Sequence, residues 1–122
     1  MRHVTLFLAA FTVAACANTG PRTIEPFPES EALQSKSCVD RPATVLRAEP
    51  IYPPAAYQEF QAGWVILEYD IAADGTTTNI EVLRSSPPEI FDGVSRRALR
   101  EWRFPPNTAR QKCRMDFRFS RR

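Results

Sequence analysis

Histidine is nearly missing from this 122-residue chain: its one copy is His3. That residue sits in a segment that reads as a removable leader, so the mature chain is expected to hold none. Ser-His-Asp catalysis, Cys-His catalysis and histidine metal sites are thereby excluded. No glycine-rich phosphate loop is present, and the whole sequence has only four glycines. After residue 15 no apolar run is long enough to cross a bilayer as a helix. No internal repeat is visible. Glu68 and Asp70 alternate on one strand face, the usual setting of surface carboxylates rather than of an acid–base pair. The reading is therefore no enzyme, no catalytic residue, no metal and no cofactor.

What the chain does have begins at its first residues. Arg2 and His3 precede an apolar stretch over 4–15, broken only by Thr5 and Thr12. Its length suits the hydrophobic core of a signal peptide. It ends in Val13-Ala14-Ala15-Cys16. Small residues before a cysteine resemble the bacterial lipobox, which implies cleavage before Cys16 and a diacylglyceryl thioether on its sulfur. Residue 17 is alanine, not the aspartate that commonly retains such proteins at the inner membrane. The expected location is the periplasmic face of the outer membrane, with lipid as the anchor.

Two cysteines then remain, Cys38 and Cys113. In an oxidising compartment such a pair reads as a disulfide, with two buried thiols as the other reading. Residues 16–42 contain Pro21, Pro26 and Pro28, several acids and few aromatics, and read as a flexible tether.

Residues 43–122 carry the folded pattern. A short strand is expected over 43–46. Pro54 opens a short helix over 54–61, with Gly63 as its stop. Residues 64–72 alternate, with Val65, Leu67, Tyr69 and Ile71 on one face. Asp74-Gly75 reads as a type I′ hairpin turn. The return strand spans 77–84, with Thr78, Ile80 and Val82 on one face. Ser86 and Glu89 have the spacing of a capping box. Phe91, Val94, Ala98, Leu99 and Trp102 recur at helical spacing. Pro105-Pro106 ends that helix. Residues 112–120 alternate again, with Cys113, Met115, Phe117 and Phe119 on one face. The expected class is α+β: a three-stranded antiparallel-type sheet packed by two helices, in the order α-β-β-α-β.

The net charge of +2 hides an uneven distribution, because arginine and lysine dominate from residue 85 onward. A basic end can meet an anionic surface or acidic protein; solvated faces and internal pairing are the plainer reading.

An ordered set of residues carries a resemblance. It runs through Pro50-Ile51-Tyr52-Pro53, Ala56, Gly63-Trp64-Val65, Tyr69-Asp70-Ile71 and Asp74-Gly75. It continues through Asn79-Ile80, Val82, Ser85-Ser86, Phe91, Ala98-Leu99, Trp102-Arg103-Phe104 and Pro106. The set resembles the TonB C-terminal domain family. The resemblance implies binding of periplasmic protein segments, including those of outer-membrane transporters, by pairing with an edge strand. The matching edge is 112–120, with Lys112, Arg114, Asp116, Arg118 and Ser120 pointing away from the core, and 64–72 is expected at the centre of the sheet. Family transducers also carry an inner-membrane helix and a long proline-rich spacer, which this sequence does not show. The expectation is thus a lipid-anchored protein-binding module that takes no nucleic acid. The alternative is an envelope scaffold holding an anionic surface through the basic C-terminal half.

Overall fold

A computed structural model describes residues 24–29, 33–59 and 62–121. The leader over 1–15 and Cys16 lie outside the described residues.

Among the described residues five elements follow in order: α1 (Pro54–Tyr57), β1 (Ala62–Ile71), β2 (Thr77–Ser86), α2 (Asp92–Arg100) and β3 (Arg110–Ser120). The strands form one antiparallel sheet in the order β2-β1-β3. The central β1 is the most apolar strand, since both its long sides are paired and one face is covered by helix. The α+β class and the central position of β1 agree with the sequence reading.

One face of the sheet builds the core. Val65, Leu67, Tyr69 and Ile71 of β1 meet Cys113, Met115, Phe117 and Phe119 of β3 there. Phe91, Ala98, Leu99, Trp102 and Phe104 close over them from α2 and its flanks. Aromatic rings dominate: Phe91 stacks on Phe119 with centroids 4.3 Å apart, and Trp102 meets Phe117 edge-on at 5.9 Å. The buried Trp102 indole donates to the Ala48 carbonyl at 2.9 Å, so its polar atom is satisfied.

Several local expectations are corrected. α1 has one turn and stops at Tyr57; of its expected extent, residues 60–61 lie outside the described ones. Gly63 does not stop a helix but lies inside β1, opposite Phe119. Its reason is close approach: a Cβ there would meet the Phe91 ring at 2.2 Å and the Ser86 carbonyl at 2.9 Å. The Asp74-Gly75 turn is not type I′, which needs positive φ at both central residues. Only Gly75 has it, at 89°. The Gly75 amide donates to the Ala72 carbonyl at 2.9 Å, while Asp74 Oδ1 accepts from the Thr76 amide at 3.0 Å. The chain thus makes a type I turn followed by a left-handed glycine, braced by the aspartate.

The capping box also fails. Ser86 is the last residue of β2, and its hydroxyl accepts from the Glu25 amide at 2.8 Å. Helix α2 starts six residues later behind Phe91, with no side-chain cap. Ser95 instead returns its hydroxyl to the Phe91 carbonyl at 2.7 Å. The expected strand over 43–46 reduces to a single bridge, Leu46 to Arg103.

The other face of the sheet is covered as well. Trp64 and Ile66 lie opposite the core face, yet are only 4% and 1% exposed. The described part of the segment expected as tether meets this face. The Trp64 indole donates to the Glu25 carbonyl at 2.7 Å, and Phe27 meets the Trp64 ring edge-on at 5.5 Å. Glu25 also pairs with Arg84 at 2.7 Å. An exposed indole beside an exposed isoleucine would be a liability; the alternation of β1, apolar also at Trp64 and Ile66, is what requires a cover.

Candidate functional site

Among the described residues β2 and β3 are the two edges of the sheet, so each has one side without a partner strand there. β3 is the longest strand, with 11 residues. Its core side holds it firmly through Cys113, Met115, Phe117 and Phe119, all buried. Its other side carries the residues expected to meet a partner, and each is differently engaged.

Lys112 sits at an irregular point with φ of 52°. Its amide donates to Asp70 Oδ1 at 2.8 Å, and its carbonyl accepts from the Ser35 hydroxyl. Arg114 lies opposite Glu68 in the register and pairs with it at 3.1 Å. Asp116 pairs with Arg118 at 3.0 Å. Arg118 also reaches Glu29 at 3.6 Å, and its guanidinium lies 3.9 Å from the centre of the Phe27 ring. Ser120 is exposed opposite Ala62. The arginine pairs of Arg118 are open to solvent and hold it weakly, each by about 0–1 kcal/mol.

Cys38 and Cys113 form a disulfide, with Cα atoms 5.0 Å apart. The bond ties the segment before the domain to the start of β3. From Phe27 and Glu29, against the outer face, the chain passes Ser35 at the Lys112 carbonyl and reaches Cys38 at the core side. Between Ser35 and Cys38 it lies at the β3 edge beside Lys112 and Cys113. The edge from Arg114 onward has no backbone hydrogen bond to this segment among the described residues.

Sequence reasoning passed over the residues that flank this edge. Arg41 donates to the Tyr69 hydroxyl at 3.2 Å, and Arg47 lies over Trp102 with 4.8 Å to the ring centre. Burial pushes the Tyr69 phenol above its ordinary value, and the charge of Arg41 partly opposes that. Arg41, Arg47 and Arg114 all line one cleft of about 380 Å³ with Asp116 and Trp102. The only signal for them was positional: they follow the cysteine that fixes this stretch to β3. Among the described residues no group of three or more acidic, cysteine or histidine side chains is placed to hold a metal, and no helix is long and apolar enough to cross a membrane.

Comparison with known proteins gives the same fold. The chain is 36% identical over 92 residues to the protein TonB of Pseudomonas aeruginosa, covering 70% of this chain and 27% of that protein. It is 27% identical over 88 residues to the protein TonB of Klebsiella pneumoniae, covering 71% of this chain and 36% of that one. It thus spans roughly a third of these relatives or less. Among solved structures, the Pseudomonas aeruginosa TonB C-terminal domain matches with a TM-score of 0.53 and 29% identity, over 66% of this chain and 84% of that one. The TonB2 protein of Vibrio anguillarum matches in fold with a TM-score of 0.55 at 22% identity, over 79% of this chain and 96% of that one. The family described as Gram-negative bacterial TonB protein C-terminal matches residues 48–120, from before α1 to the end of β3. With more than half of its length in that match, this chain belongs to the TonB C-terminal domain family.

Proposed function

We propose that this protein is a lipid-anchored module at the periplasmic face of the outer membrane that binds extended protein segments by strand addition at β3. Its partners are envelope proteins, with outer-membrane transporters as the class that the family membership favours. It is a binding protein rather than an enzyme. The observation that carries the reading is the β3 edge from Arg114 to Ser120, which has no backbone hydrogen bond to the preceding segment among the described residues, on a strand locked from behind by its buried aromatic side. Such an edge gives backbone hydrogen bonds to a partner strand without rebuilding the core.

The direction of those bonds follows from one contact. The Lys112 carbonyl accepts from Ser35, which does not belong to β1, so it faces away from β1. The shared peptide plane puts the Cys113 amide on the β1 side, and regular alternation from Cys113 onward turns the backbone groups of Arg114, Asp116, Arg118 and Ser120 outward. The test is proline at these positions. A random heptapeptide library is selected on the wild-type protein, and the binders are measured on Arg114→Pro and Arg118→Pro. Each substitution removes one outward amide and leaves the β1 ladder intact. At least one variant should lose the binders while melting cooperatively. Normal binding by both would end the strand-addition reading. The scaffold alternative predicts something else: capture of anionic vesicles that weakens steeply with salt, whereas backbone pairing weakens little.

A further inference from the structure

β3 is not a uniform edge. Between Cys113, opposite Tyr69, and Arg110, opposite Ile71, it carries one residue more than β1, so the ladder bulges at Gln111 and Lys112 across from Asp70. Lys112 takes a φ of 52° there, and its amide donates to Asp70 Oδ1 at 2.8 Å. The same carboxylate accepts from Asn79 Nδ2 at 2.8 Å, so Asp70 is held from β2 and β3 alike. The Lys112 carbonyl accepts from the Ser35 hydroxyl. Both backbone groups of Lys112 are therefore engaged within the protein.

The stretch that supplies Ser35 is itself fixed. The Ser35 hydroxyl oxygen accepts from the amides of Ser37 at 3.3 Å and Cys38 at 3.2 Å, which closes a tight turn over 35–38. Cys38 is bonded to the buried Cys113, the residue after Lys112. A covalent bond and the Ser35–Lys112 hydrogen bond thus hold the turn against β3 where the strand bulges. A strand added to an edge needs an outward amide and an outward carbonyl at every second residue. Arg114 offers that pair. Lys112 has committed both groups, and the turn stands on its outward side.

We propose that Lys112 and the disulfide-held turn 35–38 form a stop that ends strand pairing at Arg114. A partner segment then pairs only with Arg114–Ser120, about seven residues, and its end residue abuts the turn, which fixes the register. The partner is accordingly a short extended segment, and any chain beyond the stop bends away from the sheet. This rests on strand addition at β3 and adds what limits its length and register. Ser35 and Cys38 precede the stretch matched to the family, 48–120, so the stop depends on residues outside that match.

The experiment uses the full oxidised chain and a heptapeptide selected on it. A photoreactive p-benzoylphenylalanine is placed at either end of the peptide, and the crosslinked residues are read by mass spectrometry. One end should mark the turn 35–38 and the other the region of Ser120. Marks on Arg110 or Gln111 by the first end, or marks spread along β3 from both ends, would overturn the stop and leave strand addition in place. Marks confined to residues away from β3 and the turn would refute strand addition itself. In a second measurement the peptide is lengthened by Thr-Val-Thr at the end that marks the turn. The extension should change its affinity for the oxidised wild type by less than about twofold. Ser35→Ala combined with Cys38→Ala and Cys113→Ala opens the turn and frees the Lys112 carbonyl. On that variant, shown folded by circular dichroism, the extension should strengthen binding about fivefold, the worth of one net backbone hydrogen bond. Equal gain on both proteins, or gain on neither, would overturn the stop. If the variant does not fold, the crosslinking map of the wild type decides alone.

Discussion

The indole nitrogen of Trp64 donates to the backbone carbonyl of Glu25 at 2.7 Å, across 39 residues of sequence. With Phe27 edge-on to the same ring, this contact closes the sheet face that lies away from the helices. The stretch before the domain is thus part of the fold where it is described. Phe27→Ala should destabilise the protein by about 1–2 kcal/mol, since a half-buried ring and its aromatic contact are lost. Urea unfolding measures the cost. Tryptophan emission should also move to longer wavelength as Trp64 meets water.

The disulfide joins residues 75 apart in sequence. On the chain-entropy account, opening that loop costs roughly 4–5 kcal/mol, and less where the reduced chain stays compact. Cys38→Ala with Cys113→Ala should therefore lower the melting temperature markedly. Adding a reductant to the wild type should lower it too, and should leave the double variant unchanged. Equal melting of oxidised and reduced protein would show that the bond does not constrain the unfolded chain.

The order of elements and the aromatic core were legible because each rests on a strong period. Alternation in β1 and β3 and the helical stripe through Leu99 and Trp102 need no distant partner to be recognised. Gly63 was misread because a glycine near a helix end resembles a stop. What selects glycine there is the Phe91 ring, brought in from 28 positions further along the chain. The capping box at Ser86 and Glu89 was misread because β2 runs further than its apolar pattern. Arg41 and Arg47 carried no local signal, since their meaning comes from Tyr69 and Trp102 beneath them. Trp64 and Ile66, apolar on the face read as solvent-exposed, were the one sequence sign that something covers it.

Tyr69 predicts the alkaline behaviour. Burial raises its pKa above the ordinary 10.0, against the opposing charge of Arg41. A raised folded pKa gives stability that is complete below pH 10 and lost as pH climbs from there through the folded value. Tyr69→Phe should flatten the fall of unfolding free energy above about pH 10. Arg41→Gln should push phenolate formation, followed by ultraviolet absorbance, to still higher pH. A Tyr69 phenolate that forms at the ordinary value would contradict the burial.

Cys16 lies outside the described residues, and its lipidation is a proposal. Cys16→Ser should leave an unprocessed precursor that no longer fractionates with the outer membrane. Wild-type fractionation of that variant would remove the lipid anchor from the account.

Strand addition at β3 is the central claim, and amide hydrogen exchange tests it most directly. Exchange is followed residue by residue, with and without a heptapeptide selected on the wild-type protein. The account predicts that binding slows the outward amides of Arg114, Asp116, Arg118 and Ser120, while those of Met115, Phe117 and Phe119, already bonded to β1, change little. Protection confined to β2 or to the helices, with these four amides exchanging as before, would contradict it.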